Sequence, residues 1–108
     1  MIKRTVNILG SKWIVVQKDF DDEYMDGYTD YTTREIGIRA NNQNDVSDFE
    51  ELMKVALRHE IIHAFMAESG LRANWQHGSM WGQDETTVDW FAVQFPKILK
   101  IYEELGCL

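Results

Sequence analysis

Residues 47–70 read SDFEELMKVALRHEIIHAFMAESG, and this stretch decides the fold that we expect for the chain. Ser47 followed by Glu50 fits a capping box, so a helix is predicted to begin near Asp48. Gly70 is a natural stop for that helix. Apolar and motif residues recur at helical spacing along it, which predicts one inward stripe. The stripe is predicted to comprise Phe49, Leu52, Met53, Ala56, His59, Glu60 and His63.

The end of this stripe carries a pattern typical of metal sites. Residues 59–63 have the form HExxH, so His59 and His63 lie one helical turn apart and both imidazoles can reach one metal ion. Glu60 projects beside them, where its carboxylate can take a proton from a metal-activated water. The pattern predicts two zinc ligands and a catalytic base. The alternative is a pair of core histidines matched with carboxylates.

A third ligand is expected from a second helix, predicted over residues 84–105. Glu85 and Asp89 are four residues apart on its first turns and share one face. We expect Glu85 to complete the metal site and Asp89 to accept the Nδ1 proton of His59. Asp84 is a reserve ligand, and Asp89 has the alternative of a solvent-facing acid.

The connection between the two helices offers one more candidate. Residues 71–83 are predicted to form a loop that contains His77. His77 has three interpretations: a metal ligand, a hydrogen-bond donor to the transition state, and an ordinary loop residue. Cys107 is interpreted as an inert terminal residue in preference to a thiolate that caps the metal.

The N-terminal third is predicted to form a sheet. Residues 1–40 are β-rich, with β-prone runs at 5–9 and 13–16 and a hairpin turn around residues 30–33. The strand predicted over residues 35–39 is expected to border the active-site cleft, where a peptide could add as a further strand. Pro96 should kink or break the second helix. We expect one α+β domain over residues 1–108, with a small twisted sheet packed on the two helices.

Composition narrows the class of protein. The chain has 108 residues, of which 44% are hydrophobic, which suits one compact domain. A formal net charge of −7 argues against a general nucleic-acid binder. No apolar run reaches membrane-spanning length and no signal peptide is recognised. A single cysteine is consistent with a reducing compartment, so a cytoplasmic location is expected.

Five residues carry a resemblance to a known family: His59, Glu60, His63, Glu85 and Asp89. Together they resemble the gluzincins, the thermolysin-like class in which HExxH is followed by a helix bearing ExxxD. In size and element order the chain is similar to minimal gluzincins and to the ImmA/IrrE-type metallopeptidases of phages and mobile elements. The resemblance covers roughly residues 27–99. It implies a zinc metallopeptidase that acts on a peptide or protein, such as a regulatory protein.

Two departures from that family leave other functions open. The chain lacks the helical subdomain of larger gluzincins, and residues 88–92 match the second ImmA/IrrE-type motif only in part. One alternative is a proteolytically silent protein that zinc stabilises and that acts as an interaction surface. The other is an acidic decoy or inhibitor in which the net charge carries the function. Hydrolysis of peptide bonds is the function that we expect.

Overall fold

The computed structural model describes residues 2–70 and 85–108, and for residues 85–89 and 92 it describes the backbone alone. Four strands come first along the chain and two helices follow. The elements are β1 (Ile2–Ile8), β2 (Ser11–Lys18), β3 (Gly27–Asp30), β4 (Glu35–Arg39), α1 (Phe49–Glu68) and α2 (Glu85–Leu105). This architecture confirms the predicted α+β fold.

The four strands form one mixed sheet in the order β1-β2-β4-β3. β1 and β2 are antiparallel neighbours, β2 and β4 are parallel, and β4 and β3 are antiparallel. The predicted hairpin is confirmed, because Asp30 pairs with Glu35 across the connection between β3 and β4. The prediction that residues 35–39 border the cleft is wrong. β4 lies inside the sheet, between β2 and β3, so β3 is the end strand on that side of the sheet.

One face of the sheet packs against the helices. Alternate residues of a strand point to the same face, and Val6 and Ile8 of β1 are buried together with Trp13 and Val15 of β2. From the helices, Ile61, Ala64, Phe65, Ile98 and Ile101 join them in one hydrophobic core. This core fixes α1 across the sheet, and α1 carries the candidate site.

α1 begins one residue from its predicted start, but its cap differs from the prediction. Asp48 is the N-cap residue and makes no side-chain capping hydrogen bond, so the capping box expected from Ser47 and Glu50 is not formed. Tertiary packing stabilises the helix instead, as is usual for helices in globular proteins. Its buried residues are Met53, Glu60, Ile61, Ala64 and Phe65.

The predicted inward stripe of α1 is therefore only partly right. Met53 and Glu60 are buried, as expected, whereas Leu52 is 38% exposed and His59 is also exposed. The helix turns Ile61, Ala64 and Phe65 towards the sheet. Residues 52, 59 and 63 lie further round the helix, because each residue advances about 100° around the axis. The face that bears the two histidines borders the buried stripe and does not continue it.

A hydrogen-bonded carboxylate fastens the last turn of α1 to the sheet. Glu68 accepts hydrogen bonds from Trp13 Nε1 at 2.8 Å, Ser11 Oγ at 3.0 Å and Arg34 Nε at 2.6 Å. Burial acts to raise the pKa of Glu68, but the three hydrogen bonds, led by that of Arg34, outweigh it and hold the pKa below its ordinary value. This network prevents α1 from sliding along its own axis, and it therefore fixes the position of the two histidines.

α2 runs without a break from Glu85 to Leu105 and contains Pro96. Interruption of the helix at Pro96, one of the two effects predicted, does not occur. Pro96 is exposed, while Ile98, Ile101 and Tyr102 bury the opposite side of the helix in the core. Packing of this kind offsets the roughly 3 kcal/mol that an internal proline costs a helix.

The C-terminus is tied to α1. Arg58 donates to the carbonyl of Cys107 at 2.6 Å, and the Tyr102 hydroxyl donates to the carbonyl of Arg58 at 3.2 Å. Cys107 is 1% exposed and belongs to the hydrophobic core, which keeps its thiol away from the two histidines. Across the described ranges, no helix combines the length and apolar character needed to cross a membrane.

Candidate metal centre

The side chains of the HExxH pattern converge on the middle of α1. His59 and His63 lie one turn apart, and their Nε2 atoms are separated by 3.1 Å. A carboxylate oxygen of Glu60 joins them in a group whose ligand atoms all lie within 4.8 Å of one another. The group can therefore hold a metal ion, as the sequence spacing predicts.

The two imidazoles fit the geometry of a zinc ion. Nitrogens that each lie about 2.0–2.1 Å from one tetrahedral zinc are about 3.3 Å apart, and the observed Nε2–Nε2 distance is 3.1 Å. Small rotations of the two rings bring both nitrogens to bonding distance. His59 is exposed and His63 is half-buried, so an ion and water can both reach the nitrogens from solvent.

Glu60 is the buried member of the group and has a partner on the sheet. Its side chain is on the inner side of α1, with 9% of the residue exposed. Thr29 Oγ1 donates to Glu60 Oε1 at 2.7 Å and is also 3.0 Å from the Glu60 carbonyl oxygen. Because burial removes most of the water that would otherwise hydrate the carboxylate, this hydroxyl is important in fixing its orientation.

β3 approaches α1 closely at this point. A Cβ atom added to Gly27 would lie 3.2 Å from Cγ of Glu60 and 3.0 Å from the carbonyl oxygen of Gly37. Glycine therefore gives the strand and the helix the room to approach each other. Gly27 and Thr29 are alternate residues of β3, so they lie on the same side of the strand, where α1 packs.

Thr29 is a site residue that the sequence analysis missed. Taken as sequence, Thr29 only precedes the hairpin turn predicted around residues 30–33 and belongs to no metal-site pattern. One sequence signal could have identified Thr29: a glycine and a hydroxyl residue stand at alternate positions of a short strand. In the fold, that strand lies next to the helix. That signal becomes specific only when β3 is known to be the strand beside Glu60, a contact over 31 positions in sequence.

The predicted third ligand lies on an element whose backbone is described. Glu85 is the first residue of α2, and Asp89 follows one turn later on the same helix. Their side chains lie outside the described part of the structure, as do His77 and Asp84 altogether. Their assignments as ligand, hydrogen-bond acceptor, transition-state donor and reserve ligand remain predictions.

A contact near the start of α2 shows where that helix lies relative to α1. Trp90 Nε1 donates to Ser69 Oγ at 2.9 Å, which joins the second turn of α2 to the end of α1. Trp90 also packs against the hydrophobic core. The first turns of α2 are therefore held beside the C-terminal end of the helix that bears the two histidines.

A cleft of about 490 Å³ opens beside the metal-binding group. One wall is the chain from Asp22 to Gly27, and the other is the face of α1 from Leu52 to Glu60. His59 and Glu60 are among the residues that line the cleft. A molecule held in this cleft would lie next to the candidate metal centre, so the cleft forms part of the site.

A buried cation holds the wall of the cleft that residues 22–27 form. Arg39 is 3% exposed. Its guanidinium donates to the backbone carbonyls of Phe20, Asp22 and Met25. These bonds satisfy the buried charge, because backbone carbonyls are acceptors with partial negative charge. They also fix the path of the chain that forms the wall.

Comparisons with known proteins add no relative to this description. No family model, no curated protein and no solved structure matches the chain. Its function is therefore inferred from the residues of the site.

Proposed function

We propose that the protein is a zinc-dependent metallopeptidase of the minimal gluzincin type. One observation carries the proposal: His59 and His63 converge with 3.1 Å between their Nε2 atoms, beside a buried Glu60 whose carboxylate is held by Thr29. Two imidazoles with a neighbouring base supply two of the three protein ligands of a catalytic zinc site and the group that activates its water.

Glu60 is assigned the role of general base. A zinc ion held by His59 and His63 would act as a Lewis acid, which would lower the pKa of the attacking water to about 7 and polarise the scissile carbonyl. Thr29 donates to Oε1 of Glu60, which leaves Oε2 to accept a proton from the attacking water. Glu60 then passes that proton to the leaving amine as the C–N bond breaks. The products are one carboxylic acid and one amine for each water consumed.

Glu85 is proposed as the third ligand and Asp89 as the acceptor for the Nδ1 proton of His59. The hydrogen bond between Trp90 and Ser69 supports this assignment, since it joins the start of α2 to the end of α1. A carboxylate together with two histidines is a known ligand set for catalytic zinc and leaves a position for water. His77 is retained as the proposed transition-state donor.

The substrate is proposed to be a peptide that lies along β3. β3 is an end strand of the sheet, and its Thr29 contacts the proposed base. The backbone of an end strand offers donors and acceptors to an extended peptide. A peptide bound there would run past the metal-binding group, which the interior strand β4 could not achieve.

Metal analysis tests the ligand set. The wild type should retain about one zinc per chain, as expected for a three-ligand catalytic site, while His63→Ala and Glu85→Ala should retain little. Glu103→Gln is the matched control, because Glu103 is an exposed acid near the end of α2. Full zinc content in Glu85→Ala would overturn the gluzincin assignment and direct attention to Asp84 and His77.

Hydrolysis of a fluorogenic peptide library tests the activity. Glu60→Gln should keep zinc and fold and lower kcat by about 10²–10⁴-fold, the usual contribution of a general base. Glu103→Gln should match the wild type. A wild-type protein that holds zinc but cleaves no peptide would overturn the peptidase proposal and favour a zinc-stabilised interaction protein.

A further inference from the structure

We infer that the cleft beside His59 and Glu60 is a specificity pocket for a long basic side chain, arginine or lysine, of the peptide substrate. The inference rests on the proposed peptidase function, because the occupant is part of the peptide to be cleaved. The cleft volume of about 490 Å³ lies within the range of about 300–1,000 Å³ that is common for small-ligand sites. Its lining combines apolar side chains with carboxylates, and that combination selects the occupant.

The sides of the cleft are apolar yet open to water. Met25 is 43% exposed, Leu52 is 38% exposed and Val55 is 51% exposed, and all three line the cleft. Large apolar side chains exposed together are typical of binding surfaces, whereas single ones are normal anywhere on a protein. They offer contact to the methylene stem of a long side chain, which would remove apolar surface from water on both partners.

The charge of the cleft is negative. Asp22, Asp26 and Glu60 line it, and its lining residues include neither lysine nor arginine. The ion pairs within the described ranges join Arg34 to Glu68 and Lys54 to Glu51, so neither aspartate is neutralised by a basic side chain there. A cationic head is therefore the complementary group for this cleft, and an acidic side chain would be repelled.

Hydrogen bonds within the cleft wall of residues 22–27 hold its negative charge in a fixed position. Asp22 Oδ1 accepts a hydrogen bond from the backbone N–H of Tyr24 at 2.9 Å. Arg39, which is buried and does not line the cleft, holds the same segment through its backbone carbonyls. A wall ordered before binding loses little entropy when a side chain enters.

Arginine and lysine satisfy both requirements with one side chain. Their methylene stem can lie on Met25, Leu52 and Val55 while the cationic head reaches the carboxylates. A purely apolar side chain would leave the two aspartates without a cationic partner. A short polar side chain would leave the apolar walls exposed.

The first test measures cleavage by the zinc-loaded protein. Peptides of one sequence carry arginine, lysine, norleucine or glutamate at each position in turn. At one position, arginine and lysine should raise kcat/KM over norleucine by about twofold to fivefold, the range expected for partly exposed charge pairs. Asp22→Asn and Asp26→Asn should reduce that preference, measured in each variant as the ratio of kcat/KM for the arginine peptide to kcat/KM for the norleucine peptide. Glu103→Gln removes one negative charge elsewhere and should retain the full preference.

The second test does not depend on activity. The ¹⁵N-labelled, metal-free protein is titrated with acetyl-arginine amide and with acetyl-norleucine amide. The arginine compound should shift the amide resonances of residues 22–27 and 52–60, bind more tightly than norleucine, and weaken with added salt. The double variant Asp22→Asn/Asp26→Asn should bind the two compounds equally.

The two tests separate the two proposals. Selective arginine binding without any cleavage would support the pocket and overturn the peptidase function. Cleavage without preference for a basic residue would overturn the pocket and leave the peptidase function standing. Equal binding of both compounds, or shifts scattered outside the cleft, would also overturn the pocket.

Discussion

Replacing Thr29 by valine removes the one hydroxyl that the structure places on the proposed general base. Valine has the shape of threonine, so the substitution deletes a 2.7 Å hydrogen bond to Glu60 Oε1 while largely preserving volume. Glu60 is only 9% exposed, and water can replace the lost donor only in part. We therefore expect a loss at the upper end for such a bond, about 2 kcal/mol of unfolding free energy.

The effect on activity should be separate from the effect on metal binding. Side chains that orient a catalytic group typically contribute about 10–100-fold to rate, so Thr29→Val should lower kcat by a factor in that range and leave zinc content unchanged. Urea unfolding, zinc analysis and kcat on one fluorogenic peptide measure the three quantities. Thr29→Ser keeps the hydroxyl and should recover most of both losses.

A double-mutant cycle with Glu60→Leu, which has no acceptor for the Thr29 hydroxyl, isolates the contact between the two side chains. The coupling energy in unfolding should be about 1 kcal/mol or more, because the removed groups touch directly. Wild-type kcat and stability in Thr29→Val would refute the role assigned to Thr29. A serine variant as impaired as the valine variant would show that the methyl group matters and the hydroxyl does not.

Three further predictions concern the framework and the metal. Because hydrogen bonds hold the pKa of Glu68 below its ordinary value of 4.5, its contribution to stability is present above that pH and is lost as the pH falls through the folded pKa. Glu68→Gln should therefore lower the unfolding free energy at pH 7 and flatten its decline in acid, as urea titrations at several pH values will show. Gly37→Ala places a Cβ 2.0 Å from Cε2 of Tyr28 and should lower the unfolding free energy by about 1–3 kcal/mol. Adding Tyr28→Ala should make the alanine at position 37 tolerable. An unchanged unfolding midpoint in Gly37→Ala alone would contradict the close packing. Chelation should lower the wild-type Tm by on the order of 10 °C relative to protein in free metal at about 100 times Kd and should not move that of His63→Ala.

The convergence of the two histidines was predictable from sequence because its geometry is local. His59 and His63 are four residues apart, and any α-helix brings such residues to one face. The structure adds only that the helix forms and that the face bearing His59 and His63 points in a particular direction. The start of α1 was also predictable to within one residue, although the cap that was expected there is not formed.

The surroundings of the pair were not predictable, because they depend on which strand pairs with which. β4 enters the sheet between β2 and β3, so the strand beside Glu60 is the earlier one. Local patterns assign both segments to strands but give no strand order. The contact between Thr29 and Glu60 follows from that order. The burial of Glu60 and exposure of His59 likewise follow from the rotation of α1 against the sheet.

The bonds from Arg39 to the cleft wall have a consequence for redesign of the protein. Three carbonyl oxygens of the main chain receive them, at Phe20, Asp22 and Met25. A carbonyl is present whatever residue occupies the position, so new side chains at residues 22 and 24–26 leave this anchor intact. The side chains of this segment can thus be exchanged to alter the proposed selectivity of the cleft while its backbone path is retained. Arg39 is the residue that such a library must keep.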